Sequence, residues 1–170
     1  MSRSRICQTL HEEHEATVAF AECLEAILGK YPHGHPDRAD PAMAGILRQL
    51  PFALGAGLQR HLDFEEARLF TLLASAGDSA IVAHLTDEHE TMRLLCKRLL
   101  ALGGGALAEG FGDASWQEFR AVAAELCGEL LMHVQKEEMA LLPLLEEALD
   151  PRADAILYDV YAGNAGEMTL

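Results

Sequence analysis

The chain has 170 residues, half of them hydrophobic, enough for one domain with a substantial core, and no apolar run is long enough to span a bilayer. Its 27 acidic against 13 basic side chains give a formal charge of -14, which repels phosphate backbones and anionic lipid, so neither nucleic acid nor a membrane is an expected partner. The start, MSRSRICQTLHEEHE, reaches charged residues before a signal-peptide apolar region develops, and the four cysteines form no Cys-x-x-Cys pair, so a reducing, cytoplasmic location is expected.

Helical periodicity marks four segments, 4–29, 41–76, 79–102 and 115–149, and nothing alternates as a half-buried strand does. Cys7, Cys23, Cys96 and Cys127 are expected as small apolar side chains on these helices. Gly29 should end the first segment, and His33 and His35 in the loop after it should be solvated. Asp40 then Pro41 opens the second, Pro51 should bend it, and Gly77 should close it. Asp78 or Ser79 should cap the third, with Gly103 to Gly105 at its end. Ser115 with Glu118 reads as a capping box for the fourth, where Pro143 should bend the helix again. One all-α domain is expected over 1–150, with 151–170 a docked or partly disordered tail in which Ile156, Leu157, Tyr158 and Tyr161 point to a short helix.

An internal repeat organises these segments. The first and third share Leu-x-acid-Glu-His-Glu, ending in His14-Glu15 and His89-Glu90. The second carries His61, Glu65, Glu66, Leu69, Leu72 and Leu73, and the fourth repeats that spacing with His133, Glu137, Glu138, Leu141, Leu144 and Leu145. The offsets are 75 and 72 residues, so the chain reads as two helical hairpins of one kind. Short loops make neighbours antiparallel, which gives an up-down-up-down four-helix bundle with pseudo-two-fold symmetry.

The repeated polar residues interrupt apolar stripes. Leu47, Leu50, Leu54, Leu58, His61, Glu65, Leu69 and Leu72 follow steps of three and four, as do Phe119, Val122, Leu126, Leu130, His133, Glu137, Leu141 and Leu144. His14 is four residues from Leu10 and Val18, and His89 is four from Leu85 and three from Met92. Two ionised glutamates converging in such a seam would cost several kcal/mol without compensation. A cation resolves the conflict, and the i,i+4 spacing lets an imidazole and a carboxylate of one helix reach adjacent metal positions. The competing reading is a metal-free His–Glu network; four inward histidines on four helices, two of them paired with glutamate at one spacing and duplicated, favour the metal. Four imidazoles and two carboxylates suit iron, with manganese and zinc as weaker fits. His11 and His14 are three apart, unlike the four of a zinc-protease helix, and the Glu-x-x-His signature of ferritin-like proteins is absent.

A histidine, His-x-x-x-Glu, a second histidine and a second His-x-x-x-Glu, with the extensions at Glu66-x-x-Leu69-Phe70 and Glu138-x-x-Leu141-Leu142-Pro143, resemble the hemerythrin family, specifically its bacterial HHE cation-binding domains, over residues 6–148. The resemblance implies that His14, His61, Glu65, His89, His133 and Glu137 hold two irons, with Glu65 and Glu137 bridging. Leu85 stands where the family's animal oxygen carriers have a fifth histidine, and their last helix uses His-x-x-x-x-Asp, so oxygen transport does not follow. His11, about 60° around the helix from His14, and His84, about 140° from His89, are expected outside the ligand set. Glu13, Glu66, Glu88 and Glu138 lie beside the site, where any of them could orient a histidine. The expected function is non-catalytic: binding or sensing dioxygen, nitric oxide or iron. The alternatives are a non-haem di-iron enzyme, reducing peroxide or nitric oxide or donating iron for iron–sulfur cluster repair, and a bundle that serves only as an interaction module.

Overall fold

The computed structural model describes residues 4–77 and 79–163, and no strand occurs among them. Five helical spans follow one another. The first is α1 (Arg5–Leu28). The second, 41–76, is α2 (Pro41–Pro51), a π turn (Phe52–Ala56), α3 (Gly57–Phe64), a second π turn (Glu65–Leu69) and α4 (Phe70–Ala76). The third is α5 (Ser79–Glu109). The fourth, 113–148, is α6 (Asp113–Lys136), a third π turn (Glu137–Leu141) and α7 (Leu142–Ala148), and α8 (Pro151–Tyr161) is the fifth. Asp78 and the end of the expected tail, 164–170, lie outside the described residues. No helix among those described is long and apolar enough to cross a membrane.

The expected starts and stops hold at several ends. Asp40 accepts from the backbone N–H groups of Ala42 and Met43, with Pro41 in the first turn where its missing N–H is not needed. Gly77 ends α4 in the left-handed region at φ 103°. Two ends differ. The third span does not stop at Gly103; it continues to Glu109, and Gly110 at φ 84° is the residue that leaves the helix. Gly103 is small for packing, since a Cβ there would fall 2.6 Å from Leu50 Cδ1. The fourth span starts two residues earlier than expected, because Gly112 is the N-cap and the Ser115 hydroxyl reaches back to accept from the Gly112 N–H at 3.0 Å. Glu118, the expected partner in that box, instead pairs with Arg98 at 2.7 Å.

The bend expected at Pro51 falls at Gly55, whose φ of −92° and ψ of −123° leave the helical region within the first π turn. Pro143 sits in the first turn of α7, directly after the third π turn. The second and third π turns begin at Glu65 and Glu137, where Phe70 N–H donates to the Glu65 carbonyl and Leu142 N–H to the Glu137 carbonyl. Each inserts a residue into the helical count and moves the buried face on by one position. The expected stripe therefore holds through Leu69 and Leu141, both 0% exposed, and fails at its last member: Leu73 and Leu145 are buried, whereas Leu72 and Leu144 are 43% and 36% exposed.

Two apolar clusters fill the interior. One gathers Leu24, Leu47, Leu50, Met92, Leu99, Phe119 and Leu126; the other gathers Ile6, Leu10, Phe70, Leu73, Leu85, Leu141, Leu145 and Tyr161. Along α1, Leu10 and Leu24 belong to different clusters with His14 between them, and along α5, Leu85 and Met92 likewise flank His89. A polar layer thus separates two dry regions. Helix α8 docks on α1, contributing Leu157 and Tyr161 to the second cluster.

Candidate metal centre

Helix α1 supplies His14, α3 supplies His61, α5 supplies His89 and α6 supplies His133, while Glu65 and Glu137 each open a π turn. All six are buried, and Glu65, Glu137 and His89 are 0% exposed. They form two overlapping groups: His14, His61, Glu65 and Glu137, and Glu65, His89, His133 and Glu137, the chosen atoms of each group lying within 4.8 Å of one another. The glutamates are common to both. Glu65 Oε1 is 3.1 Å from His61 Nε2 and its Oε2 is 3.5 Å from His89 Nε2. Glu137 Oε2 is 3.1 Å from His14 Nε2 and its Oε1 is 3.2 Å from His133 Nε2. Each carboxylate therefore spans the two groups, one oxygen to each.

Each imidazole is fixed from behind by a further carboxylate. His14 Nδ1 lies 2.7 Å from Glu138, His61 Nδ1 2.7 Å from Glu13, His89 Nδ1 2.8 Å from Glu66 and His133 Nδ1 3.0 Å from Glu88. These pairs obey the repeat, since Glu13–His61 corresponds to Glu88–His133 and Glu138–His14 to Glu66–His89. Burial would push these four carboxyls up, but their imidazole and cationic partners outweigh it and hold them below the usual range. An anionic oxygen at Nδ1 demands a proton there, so in the neutral ring the Nε2 lone pair is left pointing inward.

The inner faces then present lone pairs to lone pairs. Among the described residues none of the four oxygens of Glu65 and Glu137 makes a hydrogen bond of regular geometry, the imidazole Nε2 atoms at 3.1–3.5 Å being their ion-pair partners; His14 Nε2 makes none either, and His89 Nε2 and His133 Nε2 face each other at 3.1 Å. Buried carboxylates without such hydrogen bonds are strongly unfavourable, and a cation is the group that this donor set accommodates. Burial alone would lower the basicity of the histidines. At three of them the carboxylates prevail: Glu137 raises His14, Glu65 raises His61 well above its ordinary value, and Glu137 brings His133 up to about 8. At His89 burial prevails despite Glu65, and the pKa falls. The layer attracts positive charge, and mixed nitrogen and oxygen donors fit a transition-metal ion.

A third tier braces the outer carboxylates. Arg60 and Tyr161 hold Glu13, Arg93 holds Glu66 at 2.7 Å, Lys136 holds Glu88, and His11 holds Glu138 at 3.0 Å. His11 is thus outside the cluster, one carboxylate removed from His14. His84, 59% exposed at its side chain, is likewise outside, 3.0 Å from Glu88. His33 and His35 are exposed, and of the cysteines only Cys23 is exposed. Sequence reading missed Arg60, Arg93, Lys136 and Tyr161, because none of them recurs with the repeat. A cavity of about 520 Å³ between α1 and the bent segment, walled by Phe20, Phe52, Leu54 and Leu58, reaches Glu13, Arg60 and His61.

A family model described as the hemerythrin HHE cation binding domain matches residues 5–113. That span includes His14, His61, Glu65 and His89 and stops at the first residue of α6, so His133 and Glu137 join the cluster from outside the matched region. No curated protein matches the chain.

Proposed function

The chain belongs to the hemerythrin HHE cation-binding domain family, and from that premise we propose that it is a cytoplasmic di-iron protein that binds or senses dioxygen or nitric oxide. In this reading the four long spans form an up-down-up-down bundle with a pseudo-two-fold repeat. His14 and His61 would hold one iron and His89 and His133 the other, with the Glu65 and Glu137 carboxylates, common to both groups, shared between them. The observation that supports the assignment is the pair of buried carboxylates, each with its oxygens divided between two imidazole pairs and, among the described residues, without a hydrogen bond of regular geometry. When bound, the iron pair supplies reversible coordination of a small ligand and one-electron redox change.

The protein's own residues give that chemistry its setting. The outer glutamates keep the Nδ1 protons in place and so turn the Nε2 atoms toward the centre. Leu85, 1% exposed, adds apolar wall and no donor, so the site is poorer in nitrogen than a five-histidine centre. Four imidazoles and two shared carboxylates would hold the two ions and leave coordination capacity for an external ligand. The cavity ending at His61 supplies an approach between helices. The test is the optical spectrum of anaerobically reduced, iron-loaded protein during addition and removal of dioxygen, and separately of nitric oxide. A reversible change is expected with one of the two gases; no change with either contradicts the reading.

A further inference from the structure

Helix α8 lies beyond the family-matched region, yet it is built into the metal centre. Its Asp154 carboxylate accepts from the backbone N–H groups of Arg5 and Ile6 at 2.9 and 3.0 Å, which anchors α8 at the start of α1. Arg5 in turn lies over the Tyr158 ring, 3.7 Å from its centroid. Seven residues further along each helix, counted from Ile6 and from Asp154, come Glu13 and Tyr161. The two helices therefore run side by side in one direction, and the same face of α8 that caps α1 delivers Tyr161 to Glu13.

There the Tyr161 hydroxyl donates to Glu13 Oε2, the oxygen that also lies 2.7 Å from His61 Nδ1. Arg60 donates to the other oxygen at 2.8 Å, and its guanidinium lies 4.6 Å from the Tyr161 ring centroid. The ring is buried against Phe64, with centroids 4.6 Å apart, so the hydroxyl is held in place by packing. Among the described residues the other three outer carboxylates are braced by Arg, Lys or His side chains from the four long spans. Among the described residues Glu13 is the one of the four that receives a hydroxyl from α8.

We propose that Tyr161 is a positioning residue for the metal centre, fixing the Glu13 carboxylate on His61 Nδ1 so that α8 sets the orientation of one metal-facing imidazole. This rests on the metal reading above. A two-point hydroxyl and guanidinium clamp leaves Glu13 one rotamer, and an oriented carboxylate fixes both the tautomer and the ring plane of His61.

The test uses full-length apo protein titrated with cobalt(II), whose visible bands report the ligand field. Tyr161→Phe retains the ring and its packing, which thermal unfolding of the apo variant checks. It is expected to weaken cobalt binding about three- to tenfold, the scale of one ordinary net hydrogen bond since the hydroxyl acts on His61 only through Glu13, and to shift the visible bands. Glu13→Gln should weaken binding about 10- to 100-fold, and adding Tyr161→Phe to it should cause no further loss, because the hydroxyl acts through that carboxylate. Unchanged affinity and bands in Tyr161→Phe, or a loss that adds in full to that of Glu13→Gln, would overturn the proposal while leaving the metal reading intact. Failure of the unmodified chain to bind cobalt would overturn both.

Discussion

Glu65 and Glu137 each open a π turn and each divide their two carboxylate oxygens between imidazoles of two different helices. The two features belong together. A π turn frees the helix from its regular phase where a short side chain must be aimed at the centre, and a single inserted residue re-aims everything that follows.

That re-aiming is testable by stability. Leu73→Ala and Leu145→Ala should each destabilise the fold by about 2–4 kcal/mol, because both side chains are buried in the second apolar cluster. Leu72→Ala, one position away and 43% exposed, should cost less than about 1 kcal/mol. Denaturant unfolding distinguishes this order from the reverse order that an uninterrupted α-helical stripe requires.

The outer carboxylates should matter to metal and little to folding. Glu66→Gln, Glu88→Gln and Glu138→Gln each retain size but lose the charge that fixes an Nδ1 proton, and each is expected to lower metal affinity about 10- to 100-fold. Helix content by circular dichroism should not change. Equal affinity in all three variants would remove the orienting role assigned to these residues.

Thiol chemistry offers an independent check on the core. Burial pushes the thiols of Cys7, Cys96 and Cys127 up to about 11, about 12 and about 12, which suppresses their thiolate forms at pH 8, and all three are enclosed. Cys23 is exposed. Alkylation at pH 8 should therefore modify one thiol per native chain quickly and all four after unfolding, as intact mass will report. Rapid reaction of two or more in the native chain contradicts the burial described here.

Metal should stabilise the fold by linkage, since the unfolded chain cannot assemble six donors from four helical spans. At a hundredfold excess over the dissociation constant, one bound ion contributes about 2.7 kcal/mol. For a chain of this size that raises the melting temperature by about 5–10 °C. Calorimetry of apo protein with increasing ferrous iron under anaerobic conditions should show a concentration-dependent rise, and His61→Ala should reduce it.

The convergence of the six central residues is legible in the sequence because each interrupts an apolar stripe and each recurs in the second half. The positions of Glu13, Glu66, Glu88 and Glu138 are legible by adjacency, but which histidine each one holds is not, since every one of these contacts crosses between helices. Tyr161 is illegible: it meets Glu13 across 148 positions, and the tail carries no repeat to align. The π turns at Glu65 and Glu137 escape sequence reading because they arise from aiming those glutamates inward, a demand set by neighbouring helices. Gly103 misleads for a similar reason, since its role is close approach to Leu50 and no turn is needed there.

The central claim, two metal positions sharing two carboxylates, is tested most directly by elemental analysis of the purified protein and its variants. Two irons per chain are predicted, with His89→Ala retaining about one, and Glu65→Ala or Glu137→Ala depleting both positions because each carboxylate serves both. Substoichiometric metal that is unchanged by His61→Ala and by His133→Ala would contradict the claim.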